Sequence, residues 1–219
     1  MGLFDIIGPV MIGPSSSHTA GAARIGRVAR DLLGETPVRA DIGLYGSFEK
    51  TYQGHGTDRA VVGGLMGMNV DDPRLRSALR LAKEAGMEVA FRPVPLRGAH
   101  PNTIVLQIAG NSGRTLTVRA ASVGGGRVMI QELNGMEVNF SGEADTLIIR
   151  HLDAPGAIAR VTHVLAEAQI NIATMRVFRK KAGGEAIMAL ELDKLPEAEI
   201  VTALKDLRGI SDVTLLKKR

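Results

Sequence analysis

Two short segments carry residue types that could do acid–base chemistry on a small anion: Gly13-Pro14-Ser15-Ser16-Ser17-His18-Thr19 and Gly54-His55-Gly56-Thr57-Asp58. In the first, three serines and Thr19 at a helix start offer hydroxyls and free backbone N–H groups. The positive end of a helix favours negative charge, so the segment suits a carboxylate. His18 sits beside that nest. In the second, glycines on both sides leave the His55 imidazole exposed and adjustable, and Thr57 and Asp58 are placed to cap the helix that follows. An imidazole titrates near neutrality and serves as acid or base, which makes His18 and His55 the proton-handling or substrate-orienting candidates; which of the two is the base stays open. Ser15, Ser16, Ser17 and Thr19 are the candidates to hold a substrate carboxylate, and Thr57 and Asp58 would fix His55 or receive an amine. Each segment alone also reads as ordinary structure, a serine cap and a glycine turn; the pair favours a site.

Composition narrows the classes. The 219 residues are 45% hydrophobic and 23% charged with a net charge of +4, the profile of a soluble globular protein of one or two domains. Aromatics make up 3% and tryptophan is absent, so Val, Ile, Leu, Met and Ala must pack the core, and no stacking platform for nucleic acid is visible. The pI of 9.6 reflects scattered arginines with short basic clusters at 179–181 and 217–219, read as solvated ends. Without cysteine the chain forms no disulfide and supplies no thiolate to zinc or to an iron–sulfur cluster. No His-x-x-x-His spacing occurs either, so no metal site is expected and a metal-dependent hydrolase built on His18, His55 and Asp58 is disfavoured. The apolar first dozen residues are interrupted by Asp5 and lack a basic stretch before them, and no run reaches about 18 apolar residues; a cytoplasmic protein without membrane contact is expected.

The elements that must position these residues alternate between helical and strand periods, which predicts an α+β fold. Ser15 to Ser17 cap a helix through Ala22, Ile25, Val28, Ala29 and Leu32 that ends at Gly34. Val38, Ala40, Ile42 and Leu44 alternate as a half-buried strand ending at Tyr45-Gly46; a loop and a glycine-rich helix follow. Asp72-Pro73 opens a helix with Leu75, Leu79 and Ala82 on one face and Gly86 at its end. Strands over 88–92, 103–109, 114–121, 128–133 and 136–140, with an Asn134-Gly135 hairpin signal, predict an antiparallel meander. The small polar stretch 141–145 predicts a boundary between domains at 1–143 and 146–219. The second has a βαββαβ order, the ferredoxin-like split unit.

Its loop Leu152-Asp153-Ala154-Pro155-Gly156, followed after one helix by Asn171-Ile172, resembles the ACT domain, a regulatory module that binds amino acids between paired copies. By that resemblance Asp153, Gly156 and Asn171 would touch an effector and the chain would self-associate. The same residues also read as a helix opening at Pro155 and a turn at Asn171. The N-terminal segments, with Leu3-Phe4-Asp5, Tyr45-Gly46-Ser47 and Ser122-Val123-Gly124-Gly125-Gly126, resemble the iron–sulfur-dependent L-serine dehydratases of bacteria, in particular the β subunit of the two-chain form. That resemblance implies conversion of L-serine to pyruvate and ammonia with a [4Fe-4S] cluster held by a cysteine-containing α subunit. It also implies a site shared by the two chains. An alternative is a non-catalytic serine-sensing subunit like the regulatory region of phosphoglycerate dehydrogenase.

Overall fold

The computed structural model describes residues 12–218; Leu3-Phe4-Asp5, the rest of the apolar N-terminal stretch and Arg219 lie outside the described residues. Two compact units emerge, one taking residues through Gly135 with Asn139–Ser141, the other Met136–Val138 with the chain from Gly142 onward.

In the first unit a π-helical turn, Ser16–Gly21, runs into helix α1, Ala22–Leu33. The 3.6-residue spacing of Ala22, Ile25, Val28, Ala29 and Leu32 buries one face, and Gly34, left-handed at φ 84°, ends the helix with its N–H on the Arg30 carbonyl. Strand β1 covers Pro37–Gly46. Ala40, Ile42 and Leu44 face the core as expected, but Val38 is exposed: a bulge between Pro37 and Arg39 shifts the register, which turns that side chain outward.

The segment after Gly46, expected as a loop, is helical. Helix α2, Ser47–His55, meets helix α3, Thr57–Leu65, at Gly56, whose φ of 70° makes the corner. Gly56 is itself the cap of α3, so Thr57 is the first helical residue and neither it nor Asp58 caps the helix through its side chain. Asp72 does cap, accepting from the Arg74 N–H, but its helix opens as a 3₁₀ turn, Pro73–Ser77, before α4, Ala78–Glu84.

Strands β2 (Glu88–Pro93), β3 (Asn102–Gly110), β4 (Thr115–Gly124), β5 (Arg127–Leu133) and β6 (Met136–Ser141) complete a sheet of order β2-β1-β3-β4-β5-β6. The meander from β3 onward is antiparallel where paired with β4 and β5. Strand β2 is not part of it: the helices between let it return parallel to β1 on the opposite edge.

Helices α1 and α3 touch backbone to backbone. A Cβ at Gly26 would overlap the Val61 carbonyl oxygen and sit 2.9 Å from the Leu65 nitrogen; one at Gly64 would overlap the Ala23 carbonyl oxygen and sit 2.8 Å from the Arg27 nitrogen. This contact holds the chain leading from His18 against the chain leading from His55. Nothing lies within 4 Å of a Cβ at Gly54, so there the ordinary helix preference for alanine applies. Gly54→Ala is expected to leave stability unchanged or raise it by up to about 1 kcal/mol, as urea denaturation would show.

The second unit comprises β7 (Thr146–Leu152), α5 (Ala157–Glu167), β8 (Ile172–Arg179), β9 (Glu185–Leu192), α6 (Ala198–Lys205) and β10 (Ile210–Leu216). Its sheet order β10-β7-β9-β8, antiparallel throughout, is the ferredoxin-like arrangement that the βαββαβ pattern predicts. Leu147, Ile149, Val161, Leu165, Met188, Leu190 and Leu204 form its core. Strand β8 is an edge, with Met175 and Val177 exposed. Among the described residues no helix is long and apolar enough to cross a membrane.

Candidate functional site

The π turn presents His18 with both ring nitrogens engaged. Ser15 caps the turn, its Oγ accepting from the His18 N–H at 3.1 Å and lying 3.3 Å from Nδ1. On the other side Nε2 lies 3.1 Å from the Ser47 Oγ. Ser47 is fixed in turn, because its N–H, opening α2, donates to the Pro101 carbonyl at 2.8 Å. Buried Phe48 meets the His18 ring edge-on at 5.1 Å. Gly21 lets the turn rest on β4: a Cβ there would overlap the Ser122 Oγ and lie 2.6 Å from its Cβ. Ser122 is fully buried and its hydroxyl has no partner among the described residues. The glycines after it form the β4–β5 turn with φ of 100°, 60° and 76°, and Arg24 on α1 donates to the Gly126 carbonyl at 2.9 Å.

His55, at the exposed end of α2, brings its ring centroid to 4.8 Å from that of His18 at 78°. Thr19 anchors this end, its hydroxyl donating to the His55 carbonyl at 3.3 Å. The two imidazoles read from separate segments therefore share one place. Burial pushes the His18 imidazole below its ordinary value; a positive charge on His55 pushes the same way, and a backbone contact with Ser47 opposes. His18 is thus held neutral at neutral pH.

A folded-state value below the unfolded one means that the unfolded chain binds the extra proton first. The folded state keeps its full stability above the usual histidine value of 6.5 and loses part of it as pH falls through the lowered value. In urea denaturation stability is expected to fall between pH 7.5 and pH 5. The His18→Gln variant should show a shallower fall.

Thr57 is fully buried, with its hydroxyl unpartnered among the described residues. Asp58 accepts from the Arg59 N–H at 2.8 Å and lies 3.8 Å from the Arg59 Nε, so its carboxylate faces Arg59. Ser16 and Ser17 are half-buried in the π turn. Beside His55 lies a cavity of about 270 Å³ lined by Gly13, Pro14, Thr19, His55, Arg59 and Arg76 among others. Ser47 and Ser122 entered the sequence reading only within segments that carry the family resemblance, with no role attached, and the two arginines did not stand out, because long-range packing brings all four to their places. Of the remaining histidines, His100 accepts from the Asn102 N–H, His151 is buried and His163 is exposed on α5.

In the second unit Asp153 accepts from Arg179 at 2.7 Å and from the Gly183 N–H at 3.1 Å, and these bonds, Arg179's first, hold its carboxyl below the ordinary value. Gly156, φ 82°, caps α5, and Asn171 donates to Asp193 at 2.8 Å. Among the described residues no three histidine or carboxylate side chains are grouped to hold a metal, and with no cysteine anywhere the chain does not fit an iron–sulfur cluster as its own ligand set.

Residues 2–92 match the family model of the serine dehydratase beta chain, and residues 146–209 match the ACT domain. A probable L-serine dehydratase beta chain of Bacillus subtilis is 46% identical over 212 residues, 97% of this chain and 96% of that one. The chain belongs to the L-serine dehydratase beta-chain family. The L-serine dehydratase beta chain of Peptoniphilus asaccharolyticus is 36% identical across 87% of this chain and 86% of its own length. A D-3-phosphoglycerate dehydrogenase of Bacillus subtilis is 31% identical over 90% of this beta chain but 37% of that protein. The paired histidines therefore lie, in this beta chain, within the stretch that the dehydratase family model covers.

Proposed function

We propose that this beta chain, joined to a cysteine-bearing α subunit that carries a [4Fe-4S] cluster, deaminates L-serine to pyruvate and ammonia. The observation that carries the reading is the His18–His55 pair, of which His55 lines the cavity, inside a family named for this activity. Such a cluster would supply a Lewis acid; its ligands belong to the partner, and the roles below are those of this chain alone.

Deamination requires loss of the unacidic α-proton and of the hydroxyl group, after which the enamine hydrolyses to keto acid and ammonia. His18, neutral and bracketed by Ser15 and Ser47, orients the site. His55, exposed and lining the cavity, is the group placed to take the α-proton. Thr19 steadies His55 through its carbonyl. The ACT domain's exposed β8 edge, with Met175 and Val177, supports self-association there and an amino-acid effector held near Asp153, Gly156 and Asn171.

Anaerobic co-purification with a cysteine-bearing partner tests this. Iron–sulfur absorbance together with pyruvate release from L-serine is the expected result, and brisk pyruvate release by this chain alone would overturn it. The similarity to phosphoglycerate dehydrogenase favours a second reading, a serine sensor without turnover. Serine binding by the assembled proteins with no keto acid formed would establish that alternative.

A further inference from the structure

We infer that Arg59 and Arg76 form the carboxylate clamp of this cavity, and that Ser15 positions His18 instead of binding the substrate's charge. The inference rests on the reading above for its substrate, and on the cavity itself for its chemistry. Three features carry it. Among the described residues the lining includes Arg59, Arg76 and His55 and no carboxylate, so these side chains present positive charge to whatever enters. Arg59 lies directly beside the turn that carries His55: its Nε and Nη2 are 3.8 Å from the position of a Cβ on Gly56. Asp58 offsets it only in part, with its closest approach to the guanidinium at 3.8 Å.

Arg76 is freer still. The nearby acid, Asp72, is taken by Arg74, with Nε–Oδ1 at 3.0 Å and Nη2–Oδ2 at 2.6 Å, and Arg74 holds the Asp72 carboxyl below its ordinary value. Among the described residues Arg76 has no carboxylate partner. The 3₁₀ turn buries Leu75 in the fold and leaves Arg76 exposed on the cavity wall. Ser15, by contrast, is committed to the His18 N–H and ring, and none of Ser15, Ser16 and Ser17 lines the cavity. A guanidinium fork matches a carboxylate in two parallel hydrogen bonds, which hydroxyls cannot reproduce. The ligand class is therefore a small monocarboxylate, held with its α-carbon toward His55.

Steady-state kinetics of the assembled enzyme test the clamp with Arg59→Gln, Arg76→Gln, the double variant and Arg76→Lys. Losing one charge-assisted contact should raise KM for L-serine about 10- to 100-fold with kcat within a few-fold, and Arg76→Lys should recover part of the loss. L-Serinamide, which keeps the amine and hydroxyl but lacks the carboxylate, should compete no less well against the double variant than against the unaltered enzyme. An unchanged KM in the double variant overturns the clamp. Should the assembled proteins release no keto acid, the functional reading fails, and glycolate titrated into the full chain, followed by NMR, decides the clamp alone. Binding that the double variant loses supports it; binding that persists, or none in the unaltered chain, overturns it.

Discussion

Replacing His55 with alanine is expected to lower L-serine deamination by the assembled enzyme about 10²- to 10⁴-fold, the usual worth of a positioned general base. The effect should fall on kcat more than on KM if, as proposed, the imidazole takes the α-proton and the arginines hold the carboxylate. His55 ends a helix and its ring is exposed, so the truncation leaves no cavity in the core and should not change thermal stability or the amount of partner recovered with the chain. His18→Ala should behave differently. It removes a half-buried ring packed on Phe48 and bonded to Ser47, so stability and turnover fall together. Full turnover in the His55→Ala enzyme would remove this residue from the chemistry.

A second large effect is expected where α1 and α3 touch backbone to backbone. Gly64→Ala should destabilise the chain by about 3 kcal/mol or more and lower its Tm by roughly 10 °C, although alanine is favoured over glycine in a helix by about 1 kcal/mol. The added methyl meets the Ala23 carbonyl and the Arg27 nitrogen, which are backbone atoms of α1 that no rotamer change can move aside. Relief requires α1 and α3 to separate, which would pull the His18 and His55 rings apart. Residual folded protein should therefore also turn over slowly. Calorimetry beside the Gly54→Ala variant makes the comparison internal, because the same chemical change there meets open space.

The contrast shows what a sequence can reveal. The α1 stripe, its Gly34 terminus and the second-unit order follow from local periods and turn chemistry, and they are found as read. Helix α2 was hidden because Phe48 is its one buried residue and glycines crowd its end, so it carries no apolar stripe and looks like a loop. Val38 followed the strand alternation on paper, but a bulge, invisible to a period of two, turned it out. The parallel pairing of β2 depends on three intervening helices folding back, a non-local event. At the site, the hydroxyl and imidazole segments were legible as types, and their ring-to-ring meeting was not. Ser47 stood in the Tyr45-Gly46-Ser47 segment of the family resemblance but with no role attached, and Arg76 gave no signal at all, since a serine and one arginine among many acquire a role only from what they face.

The bare helix-to-helix contact also sets a rule for engineering. Because Gly26 and Gly64 each fit a surface with no side chain between, the stretches bearing His18 and His55 behave as one module. A chimera that borrows only one of them from a homologue must match the other's contour atom for atom, so transplanting both together is the route that should preserve the pairing of the rings.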